Sequence, residues 1–92
     1  MKKIILTLAL AAGAAGANDA VENQVRNDRD YGAKVQQARQ ILAGRGYRVL
    51  KIEADDYRGR QALDVDAVKG QREYDIKLSY PDLRIIYERI DD

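Results

Sequence analysis

The chain has 92 residues, which is room for one domain with a modest hydrophobic core. It contains no cysteine and no histidine, which excludes Ser-His-Asp and Cys-His nucleophile systems, thiol redox chemistry and soft-ligand zinc or copper sites. Lysine and arginine total 16 against 15 aspartates and glutamates, so the chain lacks the basic excess typical of nucleic-acid binders. We expect a protein that is not an enzyme, holds no cofactor or metal and does not bind nucleic acid.

The N-terminus has the three parts of a signal peptide. Residues 1–3 are Met-Lys-Lys, residues 4–12 are apolar apart from Thr7, and residues 15–17 offer small side chains to a signal peptidase. The charge-free apolar run ends at Ala17 and is shorter than the ~20 residues that span a bilayer. We predict a signal peptide over residues 1–17, with cleavage after Ala14 as the alternative, and a soluble periplasmic product without a stable membrane anchor.

Residues 18–30 are mostly polar and predict a flexible lead-in. Val21 and Val25 are four residues apart, which leaves open a helix that extends backward into this segment. The domain proper is expected over residues 31–92.

A helical apolar period begins at Tyr31 and predicts a helix of about four turns that ends near Ala43. Asp28 or Asp30 is available as an N-cap, and glycine after the last turn can end the helix. The predicted buried stripe consists of Tyr31, Val35, Ala38, Ile41 and Leu42.

The apolar period changes to two after Gly46, which indicates β-strands. We predict strands over residues 47–54, with Leu50 and Ile52 inward, over 61–69, and around residues 72–78. A polar turn over 55–60 and a short loop over 69–71 separate them. A last strand follows over 84–90, with its inward side chains undecided. This order predicts an α+β fold in which one N-terminal helix packs on a three- to four-stranded antiparallel sheet.

This arrangement, together with specific segments, resembles the PepSY family, named for peptidase propeptides. The segments are Gly46-Tyr47, residues 49–53 (Val-Leu-Lys-Ile-Glu), residues 63–67 (Leu-Asp-Val-Asp-Ala) and residues 72–78 (Arg-Glu-Tyr-Asp-Ile-Lys-Leu). The resemblance implies a non-enzymatic module that binds or restrains a peptidase. We therefore expect a protein partner in the cell envelope, with a peptidase as the candidate.

Tyrosines and arginines at predicted loops and strand ends are the candidate partner-binding residues. These residue types are enriched at the centres of protein interfaces, although tyrosines at strand ends also close small cores. The candidates are Tyr57, Arg58, Arg60, Tyr80, Arg84 and Tyr87.

The acidic face predicted for the second strand leaves two other interpretations open. Asp64 and Asp66, together with Asp55 or Asp56, offer hard oxygen ligands to Ca²⁺, or the face is solvated and neutralised by neighbouring lysines. The alternative function is a structural or envelope-stress protein that acts by self-association or by ligand binding on the charged sheet face.

Overall fold

The structure is a computed structural model that describes residues 20–91, so the expected signal peptide lies outside the described residues. Two helices, α1 (residues 20–26) and α2 (Tyr31–Gly44), precede a four-stranded sheet. The strands are β1 (Arg48–Tyr57), β2 (Arg60–Lys69), β3 (Arg72–Ser79) and β4 (Ile85–Ile90). They pair antiparallel in the order β1-β2-β3-β4, which confirms the predicted α+β class.

Helix α2 follows the predicted stripe closely. Ala38 and Leu42 are fully buried, whereas Ile41 lies at the margin of the stripe and is 38% exposed. Asp30 occupies the N-cap position but forms no side-chain cap bond, while Asp28 Oδ1 accepts a hydrogen bond from the Asp30 backbone N–H at 3.2 Å. At the other end, Gly46 has a φ of +94°, which is the left-handed conformation that glycine adopts without a clash.

Helix α1 brings part of the expected lead-in into the packed domain. Val25 is fully buried and belongs to the core cluster. The Gln61 side-chain amide on β2 donates a hydrogen bond to Gln24 Oε1 at 2.9 Å. The folded unit therefore begins before Tyr31, as the spacing of Val21 and Val25 allowed.

One face of the sheet packs against the helices and forms a single core. Strand alternation places Leu63, Val65 and Ala67 of β2 on this face, and the register sets Ile76 of β3 directly opposite Val65. Asp64 and Asp66 point to the opposite face, which we call the acidic face. The side-chain period of two thus separates an apolar face from a charged one.

Two predictions for β1 are wrong. The connection to β2 is a two-residue turn at Arg58 and Gly59 rather than a loop over 55–60, because polar residues can continue a strand on the face away from the core. Leu50 is 45% exposed rather than inward, because the register shifts between Val49 and Lys51. A bulge of this kind reverses the facing of the residue within it.

A second register shift decides the facing of β4. The shift lies between Lys77 and Leu78 of β3. Ile85 therefore pairs with Leu78 and packs against the core. Tyr87 pairs with Lys77 on the acidic face. Ile86 and Ile90 remain 41% and 47% exposed, which places two large apolar side chains at the surface of an edge strand.

Candidate functional site

Four of the six predicted partner-binding residues meet at the β1–β2 hairpin. The rings of Tyr57 and Tyr87 have centroids 5.9 Å apart, and the Arg58 guanidinium lies 5.2 Å from the centre of the Tyr57 ring. Tyr57, Arg58 and Arg60 line a shallow hollow of about 320 Å³ together with Ile86. We call these five residues, Tyr57, Arg58, Arg60, Ile86 and Tyr87, the hairpin patch.

The turn that carries the patch holds an arginine in an unfavourable backbone conformation. Arg58 has a φ of +55° and Gly59 a φ of +82°, the pair of positive values that a two-residue type I′ turn requires. Asp56 Oδ1 supports the turn by accepting a hydrogen bond from the Gly59 N–H at 2.7 Å. Asparagine, aspartate or glycine is the usual residue at the position of Arg58, and a long side chain there costs roughly 1 kcal/mol.

The other two candidates, Tyr80 and Arg84, lie at the same end of the sheet but outside the patch. Tyr80 is buried, and its hydroxyl donates a hydrogen bond to Asp28 Oδ2 at 2.6 Å. Burial and this bond to a carboxylate raise the pKa of Tyr80 above its usual range. Arg84 is exposed, and its backbone N–H donates to Ser79 Oγ at 3.0 Å. In this structure Tyr80 therefore joins the helical segment to the sheet.

Three carboxylates come together on the acidic face. Asp64, Asp66 and Asp75 each present an oxygen within 4.8 Å of the others, and Asp66 pairs directly with Asp75 across β2 and β3. The Lys77 ammonium lies 3.1 Å from Asp64 and 3.2 Å from Asp55. Asp55 is thus held by Lys77, while Asp75 completes the trio.

The negative charge of this cluster is reduced by the raised pKa of Asp75 and by the ammonium of Lys77. Burial raises the pKa of Asp75, and the hydrogen bond and negative charge of Asp64 raise it further. Burial alone would lower the pKa of Lys77, but its bonds to Asp64 and Asp55 produce a net rise. With an ammonium already bound to Asp64, the geometry fits a neutralised sheet face better than a calcium site.

Sequence reasoning missed two residues in these clusters. Ile86 was one of the undecided side chains of the last strand and was not assigned to a surface. Asp75 was not placed beside Asp66, although a two-residue loop at Gly70 and Gln71 fixes that register.

Comparison with known proteins decides the family. The model of the PepSY family described as "Peptidase propeptide and YPEB domain" matches residues 2–89. The chain belongs to the PepSY family. No curated protein and no solved structure matches the chain.

The residues that carry the PepSY resemblance make contacts that stabilise this fold. Tyr47 and Tyr74 stack edge to face with ring centroids 5.4 Å apart, and the Tyr47 hydroxyl donates a hydrogen bond to Glu88 Oε2 on β4. Burial and the Glu88 carboxylate raise the pKa of Tyr47 to about 12. Ile76 is fully buried. These motif residues of the PepSY domain connect the end of α2 to the sheet and contribute to the core.

Within residues 20–91, neither helix of this PepSY domain has the length and apolarity needed to cross a membrane.

Proposed function

We propose that this PepSY protein is an exported, non-enzymatic binding module that modulates a peptidase in the cell envelope by surface contact. The family match over residues 2–89 carries the proposal, because PepSY domains are typically propeptide or inhibitor-like modules. The N-terminal signal-peptide pattern supports export to the periplasm. A chain without histidine or cysteine also lacks the side chains on which most nucleophilic hydrolases depend.

The hairpin patch supports contact with a protein. Tyrosine and arginine are the residue types most enriched at interface centres, and here two of each surround an exposed isoleucine. A protein that restrains a peptidase needs an exposed, well-ordered surface rather than a deep cleft. The two-residue turn supplies order, since it leaves the hairpin end little conformational freedom.

The test is capture followed by an activity assay. The full 92-residue chain, tagged at its C-terminus, is expressed in a bacterium and recovered from the periplasmic fraction. Mass spectrometry of co-purified proteins is expected to identify a peptidase, and its rate on a peptide substrate is expected to change when the purified protein is added. Recovery of the uncleaved chain from the cytoplasm, or a captured set without a peptidase, contradicts the proposal.

The alternative, a structural protein that acts by self-association, is favoured by exposed Ile86 and Ile90 on β4, which is an edge strand of the sheet within residues 20–91. The same preparation separates the two functions. Sedimentation that shows a dimer, with no peptidase captured, supports self-association.

A further inference from the structure

We infer that the hairpin patch binds a protein segment in which carboxylates flank an apolar side chain, and that Arg58 is its specificity residue. This inference rests on the proposed function and names the chemistry of the partner. It depends on three observations: two arginines without carboxylate partners among residues 20–91, an exposed apolar side chain beside an aromatic ring, and a strained backbone at Arg58.

The hairpin patch carries the positive charges of two arginines. Within residues 20–91, neither Arg58 nor Arg60 forms a salt bridge, and both are exposed. The two acids that line the adjoining hollow with Arg58 are already engaged. Asp56 accepts the Gly59 N–H at 2.7 Å, and Glu22 lies 3.5 Å from Arg26. Guanidinium groups bind carboxylates through two parallel hydrogen bonds, so carboxylates are the complementary chemistry.

The floor of the patch is apolar and aromatic. Ile86 is 41% exposed beside Tyr57, and the hollow of about 320 Å³ has room for a side chain but not for a large ligand. An apolar side chain of the bound segment placed there would remove its own surface and that of Ile86 from water. The patch therefore fits an apolar residue flanked by acidic ones, rather than a uniformly charged surface.

The conformation of Arg58 indicates that its side chain is used. Among residues 20–91, two non-glycine residues have positive φ, Arg58 at +55° and Leu83 at +60°. Leu83 is buried, so packing compensates for its backbone strain. Arg58 is exposed, and an asparagine would fit its turn position better. The contact of Arg58 with the Tyr57 ring leaves the side chain exposed, and backbone strain at an exposed residue is typical of positions kept for binding.

The test uses two synthetic peptides, the exported parent protein and three variants of it. In the acidic peptide, Glu and Asp alternate with Phe and Leu; in the control peptide, every acid is replaced by Lys. Amide and arginine side-chain NMR signals are followed during titration. We expect the acidic peptide to shift the signals of the hairpin patch, with an affinity that falls as salt is raised, and the basic peptide to leave the patch unchanged.

The variants separate binding from folding. Arg58→Asn keeps the turn and is expected to melt within about 2 °C of the parent or above it. It is expected to weaken acidic-peptide binding at least about fivefold, as loss of a charged hydrogen-bonding partner does. Arg39→Gln, which removes an exposed charge from α2, is expected to leave binding unchanged. Arg58→Lys retains charge and strain and is expected to weaken binding because it loses the planar fork.

Three results overturn the inference: no shift of patch signals with the acidic peptide, equal weakening by Arg39→Gln and Arg58→Asn, or a patch response to anionic lipid vesicles instead of the peptide. A peptidase that is captured equally well by the parent and by Arg58→Asn leaves the proposed function standing and overturns only the role of the patch.

Discussion

Replacement of Ile76 tests how much of the stability resides in the sheet core. Ile76 has no exposed surface, lies directly opposite Val65 and belongs to the same core cluster as Leu42 of α2. Truncation of a fully buried isoleucine to alanine costs about 2 to 5 kcal/mol, because transfer energy is lost and a cavity remains. A domain of this size has a free energy of unfolding of about 4 to 11 kcal/mol. Ile76→Ala therefore removes roughly half of it.

The assay is thermal unfolding followed by circular dichroism. At about 4 to 8 °C per kcal/mol for a small domain, Ile76→Ala is expected to lower the melting temperature by about 8 to 40 °C. Ile76→Val is the matched control, with an expected cost of about 0.5 to 1.5 kcal/mol. A melt of Ile76→Ala as sharp and as hot as that of the parent would refute the placement of this side chain in the core.

Three further predictions concern the polar contacts. Because folding raises the pKa of Asp75, stability is lost as pH rises from the unfolded value of about 3.9 through the raised folded value. Asp75→Asn should therefore have a higher melting temperature than the parent at neutral pH and the same melting temperature at about pH 3. Equal melting temperatures of the two proteins at both pH values would contradict repulsion between Asp75 and Asp64. Tyr80→Phe should cost about 1 kcal/mol in urea unfolding because it deletes the hydrogen bond to Asp28, and no change in the urea midpoint would show that this bond contributes nothing. Lys77→Met should cost about 1 to 3 kcal/mol because it leaves two half-buried carboxylates without their cation, while the same change at exposed Lys51 should be near neutral.

The sequence predicted the fold where periodicity was clean. The β2–β3 hairpin follows its pattern almost residue for residue, and helix α2 buries Ala38 and Leu42 of its stripe but exposes Ile41. The β1–β2 turn was placed too broadly, since Asp55 and Asp56 look like turn residues when read alone. In the structure Asp55 is an outward-facing strand residue held by Lys77, a contact between distant residues that local pattern cannot show.

The two bulges explain the wrong facing of Leu50 and the facing that the sequence left undecided in the last strand. Each inserts a residue that reverses the alternation, so Leu50 and Ile86 reach the surface although both are strongly apolar. Residue type singled out four of the five members of the hairpin patch, but not Ile86. Their meeting depends on tertiary structure, because Tyr57 and Tyr87 lie on the two edge strands of the sheet. Tyr80 is also a tyrosine, but it is buried and its hydroxyl donates a hydrogen bond to Asp28.

The most direct test of the account is the rate of the captured peptidase measured against rising concentrations of this PepSY protein. The account predicts a saturable change in rate that the parent produces at lower concentration than Arg58→Asn. A peptidase rate that stays constant across the titration, together with substrate turnover by the PepSY protein alone, would contradict a function based on contact.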